Sequence, residues 1–256
     1  MSAFGIGPRD VLALARHTQS TAAPTGPLLV RGVLAGQLAR ELAAGGDSSL
    51  VRTEGDPSAA SAVVCVVAGA ARPADEEALR IAARSLVPVV AVQTGASGTR
   101  IPYVLATDVV DCEPGKRFPL EAITRALAAA LGRDGAALAG ALPVLRDAVR
   151  DRRTRDGVIA AGVVAAGRGE ARLPLLALGQ ARMLSDVAAA DGAAAATTSR
   201  GTAEAVAVPL AAALATGLAA RTLVRRLRVR NRMSDVAVAA AATYALAAAF
   251  RRLPRR

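Results

Sequence analysis

Seven consecutive residues at positions 62–68, Ala-Val-Val-Cys-Val-Val-Ala, constrain the fold of this chain more than any other segment. None of them is charged or carries a hydroxyl or amide, so the segment has no face that would lie toward water. A short run rich in valine favours a β-strand, and a strand that is apolar on both faces is typical of a parallel sheet. The sequence therefore predicts an α/β fold built around this strand.

Segments of strand and helix character alternate along the first half of the chain. Further strands are predicted at residues 28–33, 49–53, 87–93 and 103–110. Helices are predicted between them, at residues 34–44, 73–85 and 119–131. The second helix begins at Pro73 and has acidic residues in its first turn, as helix starts commonly do. Strands separated by helices imply a small, mainly parallel three-layer sandwich.

The alternation stops near residue 135. Ala-rich helical stretches follow, at about residues 135–150, 155–167, 172–191, 202–230 and 234–252. A short helix is also expected at residues 8–18, before a segment rich in helix breakers. We therefore predict three parts: an N-terminal helix and linker at residues 1–26, the α/β domain at 27–134, and a basic, Ala-rich bundle domain at 135–256.

The net charge of +11 is concentrated at one end of the chain. Residues 1–134 hold 13 basic and 13 acidic groups, whereas residues 221–256 hold ten arginines and one aspartate, a net charge of +9. A polyanionic partner would meet this end. The candidate contact residues for anionic lipid or an acidic protein are Arg225, Arg226, Arg228 and Arg230. Nucleic acid is disfavoured as a partner, because the basic region has few aromatic side chains for base stacking.

Several chemistries lack the residues that they need. His17 is the single histidine and has no suitably spaced acidic or cysteine neighbours, so no metal site is expected. A Ser-His-Asp triad would depend on that same histidine, and no Gly-x-Ser-x-Gly elbow occurs. Cys65 lies inside the valine-rich run, where a small buried thiol is expected rather than a reactive one.

Two stretches, residues 205–220 and 236–250, are free of charged side chains. A membrane-spanning helix needs about 20 predominantly apolar residues, and these stretches are shorter and consist mainly of alanine. We therefore expect buried bundle helices here rather than membrane spans. The expected location is the cytoplasm, with peripheral attachment to the inner face of the cell membrane as an option.

The order of segments in the first half resembles a reduced Ras-like GTPase domain, over about residues 28–132. The run Ala62 to Val67, followed by Arg72-Pro73 and Asp75-Glu76-Glu77, is similar to the strand and helix that follow switch II. The segment Gln93-Thr94-Gly95-Ala96 lies where such domains carry their guanine-reading motif, and residues 104–107 resemble the last strand. The resemblance implies a nucleotide-binding fold.

The functional residues of that family are missing. A phosphate-binding loop needs a lysine and a hydroxyl group in Gly-x-x-x-x-Gly-Lys-[Ser/Thr]. The corresponding segment is Arg31-Gly32-Val33-Leu34-Ala35-Gly36-Gln37-Leu38, which has neither. We therefore expect a degenerate domain without nucleotide hydrolysis, although an atypical GTP-binding protein stays an alternative.

A second interpretation of the same segment is a Rossmann-type, NAD(P)-dependent oxidoreductase. The first strand and helix resemble the opening turn of such enzymes, with Gly32 and Gly36 as two of the three fingerprint glycines. Glu54 is the nearest candidate for the acid that binds the ribose. Two glycines in a tight turn are more often explained by backbone geometry than by a cofactor.

The second half resembles a bacterial helical domain of unknown function that accompanies Era-like GTPases, over about residues 170–252. Residues 173–188 are similar to that family's helix with Pro followed by Gln-x-x-Met, here Gln180 to Met183. Residues 241–247 are similar to its Thr-Tyr-x-Leu-Gly element, with Ala247 in place of the glycine. We expect Gln180 and Thr243 to form hydrogen bonds across the bundle. The resemblance implies membrane association or a GTPase partner protein.

The leading hypothesis is a non-catalytic interaction protein that requires no cofactor. A pseudo-GTPase-like α/β domain would be joined to a basic helical module that docks on a membrane surface or on an acidic protein.

Overall fold

The computed structural model describes residues 26–95, 100–132, 134–166, 172–192 and 232–252, with isolated positions at residues 9–24 and 208–222. The chain divides into two compact units. The first, here called the sheet unit, contains residues 23–149 and 190–192. The second, the helical unit, contains residues 1–22, 150–189 and 193–256. The domain boundary predicted at residue 134 is a separate statement and stays a prediction.

The sheet unit is built on five parallel strands in the order β2-β1-β3-β4-β5. The strands are β1 (Leu28–Gly32), β2 (Val51–Arg52), β3 (Ala62–Ala68), β4 (Val89–Thr94) and β5 (Val109–Cys112). The helices of this unit are α1 (Ala35–Leu42), α2 (Pro73–Arg84), α3 (Leu120–Ala130) and α4 (Asp134–Ala141). The predicted α/β class with a parallel sheet followed by helices is confirmed.

Strand β3 has the same bounds as the predicted strand at residues 62–68. Its side chains alternate between two cores, as the twofold repeat of a strand requires. Val64 and Val66 belong to the core on one face of the sheet, which also contains residues of α1, α3 and α4. Val63 and Cys65 contact α2 on the other face. Both faces are buried, which is why the run contains no polar residue.

The fifth strand was predicted at residues 103–110, and this prediction is wrong for most of its length. β5 begins only at Val109, after a 3-10 turn at Ala106–Asp108. Tyr103 has a φ of 63°, which a strand does not allow, and Leu105 is 70% exposed. Tyr103 and Leu105 therefore lie on the surface, whereas Ile101 is buried in the core on this face and Val104 is partly buried against it.

The helical stretches after residue 134 were also divided at the wrong place. Helix α5 (Arg146–Ala166) is continuous across residues 151–154, where a break was predicted. The charged segment remains helical, and Arg152 and Asp156 form an ion pair of 3.1 Å one turn apart. The interruption lies instead before Pro143, which cannot donate a backbone hydrogen bond.

The helical unit contains most of α5 together with α6 (Arg172–Ala190) and α7 (Arg232–Arg252). Its described core consists mostly of small side chains such as Ala161, Ala177 and Ala181, with Leu184 and Val187 as larger members. Residues 236–250, one of the two uncharged stretches, lie within α7. In the part of the chain that the structure describes, no helix has the length and apolar character to cross a membrane.

Candidate functional site

Parallel strands end at one edge of a sheet, and open α/β sheets bind ligands at this carboxyl edge, where the strand order reverses. In this sheet β2 lies on one side of β1 and β3 lies on the other. The reversal is therefore located between the loops that follow β1 and β3. We call the region formed by residues 31–36 and 68–72 the switch-point crevice.

Gly32 ends β1, and its backbone geometry explains why a glycine is needed there. Its φ is 95°, and a Cβ atom at this position would lie 2.0 Å from the carbonyl oxygen of Val66. The next residue, Val33, donates its backbone N–H to that same oxygen at 3.0 Å. Gly32 is thus required by the close approach of β1 and β3, without reference to a cofactor.

Gly36 lies in the first turn of α1, and its surroundings differ from those of Gly32. Apart from its chain neighbours and the backbone of its own helix, no atom lies within 4 Å of the position that a Cβ would occupy. The residue before the helix, Leu34, has a φ of 58° and makes no side-chain hydrogen bond that would cap the helix. The structure therefore brings Gly32 and Gly36 to the same edge, but only Gly32 has a structural reason to be glycine.

Glu54 follows β2 and lies at the same edge of the sheet, on the surface. The register pairs Leu29 with Arg52, so the continuing chain brings Glu54 near the end of β1. Arg31 reaches toward this loop and donates from Nη2 to the carbonyl oxygen of Gly55 at 3.1 Å. The three candidate cofactor residues, Gly32, Gly36 and Glu54, are therefore close to one edge, as the Rossmann interpretation requires.

On the β3 side, the crevice ends at an ion pair that the sequence analysis did not single out. Arg72 donates from Nε and Nη2 to the two carboxylate oxygens of Asp75, at 2.7 and 3.2 Å. Asp75 is only 5% exposed, so this bidentate pair neutralises a buried acid at the start of α2. The sequence signal for it was an acid on the apolar face of a predicted helix, one turn before Leu79.

Cys65 lies in β3 below this pair and is fully buried. Burial raises the pKa of its thiol to about 12, and the Asp75 carboxylate adds to this shift while Arg72 and Arg31 oppose it. A thiol with such a pKa is protonated at neutral pH and is a poor nucleophile. The expectation that Cys65 is a small buried thiol is confirmed.

The segment Gln93-Thr94-Gly95 ends β4, where the resemblance places a guanine-reading motif. Gln93 is only 3% exposed, and Thr94 donates its hydroxyl to the carbonyl oxygen of Val67 at 3.4 Å. Ala96 lies outside the described residues. Both polar side chains are therefore turned to the sheet rather than presented to a base.

The chemistry available in the crevice is limited. Its described residues, 31–36 and 68–72, are aliphatic or glycine apart from Arg31 and Arg72, and include no lysine, histidine or hydroxyl. Among the residues that the structure describes, no group of three or more histidine, cysteine or acidic side chains could hold a metal ion. The crevice offers guanidinium donors and backbone N–H groups, without a nucleophile and base in contact.

In the helical unit, the two segments that carry the second resemblance meet at one hydrogen bond. Gln180 of α6 donates from Nε2 to Oγ1 of Thr243 in α7 at 2.7 Å. The Thr243 hydroxyl donates in turn to the carbonyl oxygen of Ala239 at 2.8 Å. Gln180 is 2% exposed and Thr243 is fully buried. The expectation that these residues bond across the bundle is confirmed.

The other amide atom of Gln180, Oε1, is buried and has no hydrogen-bond partner among the described residues. Gln180 also lines a pocket of about 30 Å³ between α5 and α6. We call this the α5–α6 pocket. Gly157 and Gly179 contribute to its wall. Sequence reasoning missed the pocket, although glycines within otherwise Ala-rich helices were the available signal.

The described surface of the helical unit carries large apolar side chains that are more than half exposed. They are Leu12, Ile159, Val163, Leu175, Val208 and Tyr244. Ile159 and Val163 lie one turn apart on α5 and therefore share a face. The predicted lipid-contact residues Arg225, Arg226, Arg228 and Arg230 lie outside the described residues.

Comparisons with protein families, with curated proteins and with solved structures find no match for this chain.

Proposed function

We propose that this chain is a non-catalytic interaction protein whose basic helical unit docks on an anionic membrane surface. The sheet unit acts as a pseudo-GTPase-like scaffold that performs no nucleotide hydrolysis. The chain acts in the cytoplasm, at the inner face of the cell membrane.

The observation that carries this proposal is that one unit holds both exposed apolar side chains and a concentrated positive charge. Ile159, Val163 and Leu175 are 59%, 69% and 54% exposed. The last 36 residues add ten arginines and one aspartate to the same unit. Exposed apolar side chains and many arginines within one unit are the two features with which peripheral proteins bind a lipid interface.

The magnitudes support reversible docking without a membrane span. Each arginine close to an anionic leaflet contributes about 1 kcal/mol at low salt, and salt screens this contribution. Each exposed aliphatic side chain that enters the interface adds about 1 to 2 kcal/mol for the area it buries. A few contacts of both kinds are sufficient for binding that depends on salt.

The switch-point crevice supports the proposed lack of nucleotide hydrolysis. Phosphate transfer needs a cation on the β- and γ-phosphates and a hydroxyl or carboxylate that holds Mg²⁺. The described crevice places Val33, Leu34 and Gly69 at the strand ends and contains no acid, and the buried Asp75 that follows it in α2 is paired with Arg72. These residues favour a scaffold over a phosphoryl-transfer enzyme.

Co-sedimentation of the full chain with vesicles tests the proposal. We expect binding to phosphatidylserine vesicles at low salt, little binding to phosphatidylcholine vesicles, and a steep loss of binding as salt rises. Equal binding to both lipids, or none to either, would contradict it. Retention on polyglutamate without vesicle binding would assign the arginines to an acidic protein partner instead. The same preparation, incubated with GTP and Mg²⁺, is expected to release no phosphate above a heat-inactivated control.

A further inference from the structure

Three large apolar side chains are exposed at the amino edge of the sheet, the edge opposite the switch-point crevice. Leu86 lies in the loop before β4 and is 90% exposed. Tyr103 and Leu105 lie in the loop before β5 and are 52% and 70% exposed. Because β4 and β5 are neighbouring parallel strands, the loops that precede them lie at the same edge.

Other side chains of the same two loops hold them on the sheet unit. Val87 and Val104 are packed against one core, in which Ile101 of the second loop is buried. The pKa of Arg80 in α2 is raised mainly by its hydrogen bond to Glu77, and Tyr103 adds to this shift. Tyr103 therefore lies near α2, the helix that ends just before Leu86.

Leu86 occupies a position at which glycine is the usual residue. Helix α2 ends with a hydrogen bond of 2.9 Å from the N–H of Val87 to the carbonyl of Ala82, and one of 3.3 Å from Leu86 to Ala83. This helix end uses a left-handed backbone, and the φ of Leu86 is 56°. Leucine is strained in that conformation, and at 90% exposure its side chain gains almost no burial in return. A strained residue without an internal reason indicates a role outside the fold.

The chemistry of this edge fits a lipid surface better than a protein partner. The three side chains expose on the order of 400 Å², about half of what each partner buries in a stable protein interface. The loops at residues 85–88 and 100–105 contain Arg100 and no acidic residue. The acid that follows, Asp108, is partly buried and accepts a hydrogen bond from the Thr107 hydroxyl at 3.2 Å. Leucine and tyrosine side chains are both suited to the boundary between headgroups and acyl chains.

We propose that Leu86, Tyr103 and Leu105 enter the surface of an anionic membrane as a second lipid contact, carried by the sheet unit. We call it the amino-edge contact. It rests on the docking proposed above, in which the basic end supplies the electrostatic attraction. Two contacts carried by one chain strengthen each other, because the first raises the effective concentration of the second at the membrane.

Glycine substitution separates a role in binding from a role in the fold. Leu86→Gly relieves the strained backbone and removes the apolar side chain. We expect a higher urea midpoint of unfolding but about tenfold weaker binding to phosphatidylserine vesicles. Leu34 is the matched control, with a φ of 58° and 58% exposure at the carboxyl edge. Leu34→Gly should be stabilised in the same way and should bind vesicles as well as the unmodified chain.

A fluorescent reporter measures the contact itself. The chain contains no tryptophan, so Leu86→Trp and Leu34→Trp each introduce a single one. The vesicles contain phosphatidylserine and a phosphatidylcholine with brominated acyl chains, which quench tryptophan at short range. We expect the emission of the Leu86→Trp protein to shift to shorter wavelength and to be quenched, and that of the Leu34→Trp protein to stay unchanged.

Co-sedimentation of the unmodified chain with the same vesicles separates the two proposals. If the chain does not sediment, both the proposed docking and the amino-edge contact are wrong. If it sediments, but Leu86→Gly binds as tightly or the Leu86→Trp protein is not quenched, only the amino-edge contact is wrong. Equal quenching of both tryptophan variants would also overturn it. A shift without vesicles that grows with protein concentration would assign this edge to a second copy of the chain instead.

Discussion

At the scale of single residues, two residues of the same type can be present for different reasons. Gly32 and Gly36 look alike as parts of a nucleotide fingerprint, but the structure requires only Gly32 to be glycine. Gln180 and Thr243 were expected to bond across the bundle because polar groups on Ala-rich helices need partners, and they do. The unpartnered Oε1 atom could not be predicted, because it depends on how α5 and α6 approach each other.

Alanine substitutions at the two glycines of the first βα turn are expected to change the free energy of unfolding in opposite directions. Gly32→Ala places a Cβ 2.0 Å from the oxygen of Val66 at a φ of 95°, and we expect a loss of about 2 kcal/mol or more. Gly36→Ala adds a methyl group in open space within a helix, and a gain of about 0.5 to 1 kcal/mol is expected. Urea unfolding followed by circular dichroism measures both. Similar effects at the two positions would refute this account of the turn.

Because Gln180 and Thr243 share a hydrogen bond, substitutions at the two positions are expected to have non-additive effects on the free energy of unfolding. Thr243→Val leaves the whole Gln180 amide without a described partner in a buried place, which should cost about 1 to 3 kcal/mol. Gln180→Leu removes an unsatisfied oxygen along with the bond, so its effect should be close to zero. The double variant should be more stable than Thr243→Val. Additive losses in thermal unfolding would argue against this asymmetry.

At the scale of elements, the sequence predicts those segments whose local pattern and tertiary environment agree. Strand β3 is apolar on both faces and is buried on both, so its bounds were predicted to the residue. The segment before β5 is equally apolar in sequence, but Tyr103 and Leu105 are exposed. Helix α5 passes through a charged segment that looked like a break, and there Arg152 pairs with Asp156, and Arg153 with Asp186 of α6. The second pair joins two helices and is not visible in local periodicity.

The close contact between α5 and α6 depends on a glycine at position 157, because any larger residue would meet Met183. A Cβ there would lie 2.4 Å from Sδ and 2.8 Å from Cγ of Met183, which is 4% exposed. Gly157→Ala should therefore cost about 1 to 3 kcal/mol through overpacking, despite its better helix propensity. In a Met183→Ala background the same change should be neutral or favourable. An equal penalty in both backgrounds, measured by thermal unfolding, would show that Met183 is not the obstacle.

At the scale of the molecule, the sequence predicted the fold class but not the strand order β2-β1-β3-β4-β5. The sheet unit includes residues up to 149. Leu138, Leu142 and Leu145 are fully buried in the same core as β1 and β3. Their apolar character was visible in the sequence, but not that they cover the sheet.

Two fragments test this extension. Removing three buried leucines forfeits roughly 2 kcal/mol each, which is comparable with the whole stability of a domain at about 5 to 15 kcal/mol. We expect residues 23–149 to unfold cooperatively in urea, and residues 23–134 to be much less stable or to aggregate. Equal stability of the two fragments would place α4 and the start of α5 outside the core of the sheet unit.

The claim that most needs testing is that arginines at the basic end hold the protein on anionic lipid. The direct measurement is vesicle affinity for two variants of equal net charge. One replaces Arg225, Arg226, Arg228 and Arg230 with Gln; the control replaces the exposed Arg40, Arg52, Arg84 and Arg125 of the sheet unit with Gln.

Four arginines at about 1 kcal/mol each predict up to a thousandfold weaker binding to phosphatidylserine vesicles at low salt for the first variant. The control variant is expected to bind nearly as well as the unmodified chain. Equal losses in both variants would show that net charge alone governs binding. Unchanged binding of the first variant would contradict the proposed role of the basic end.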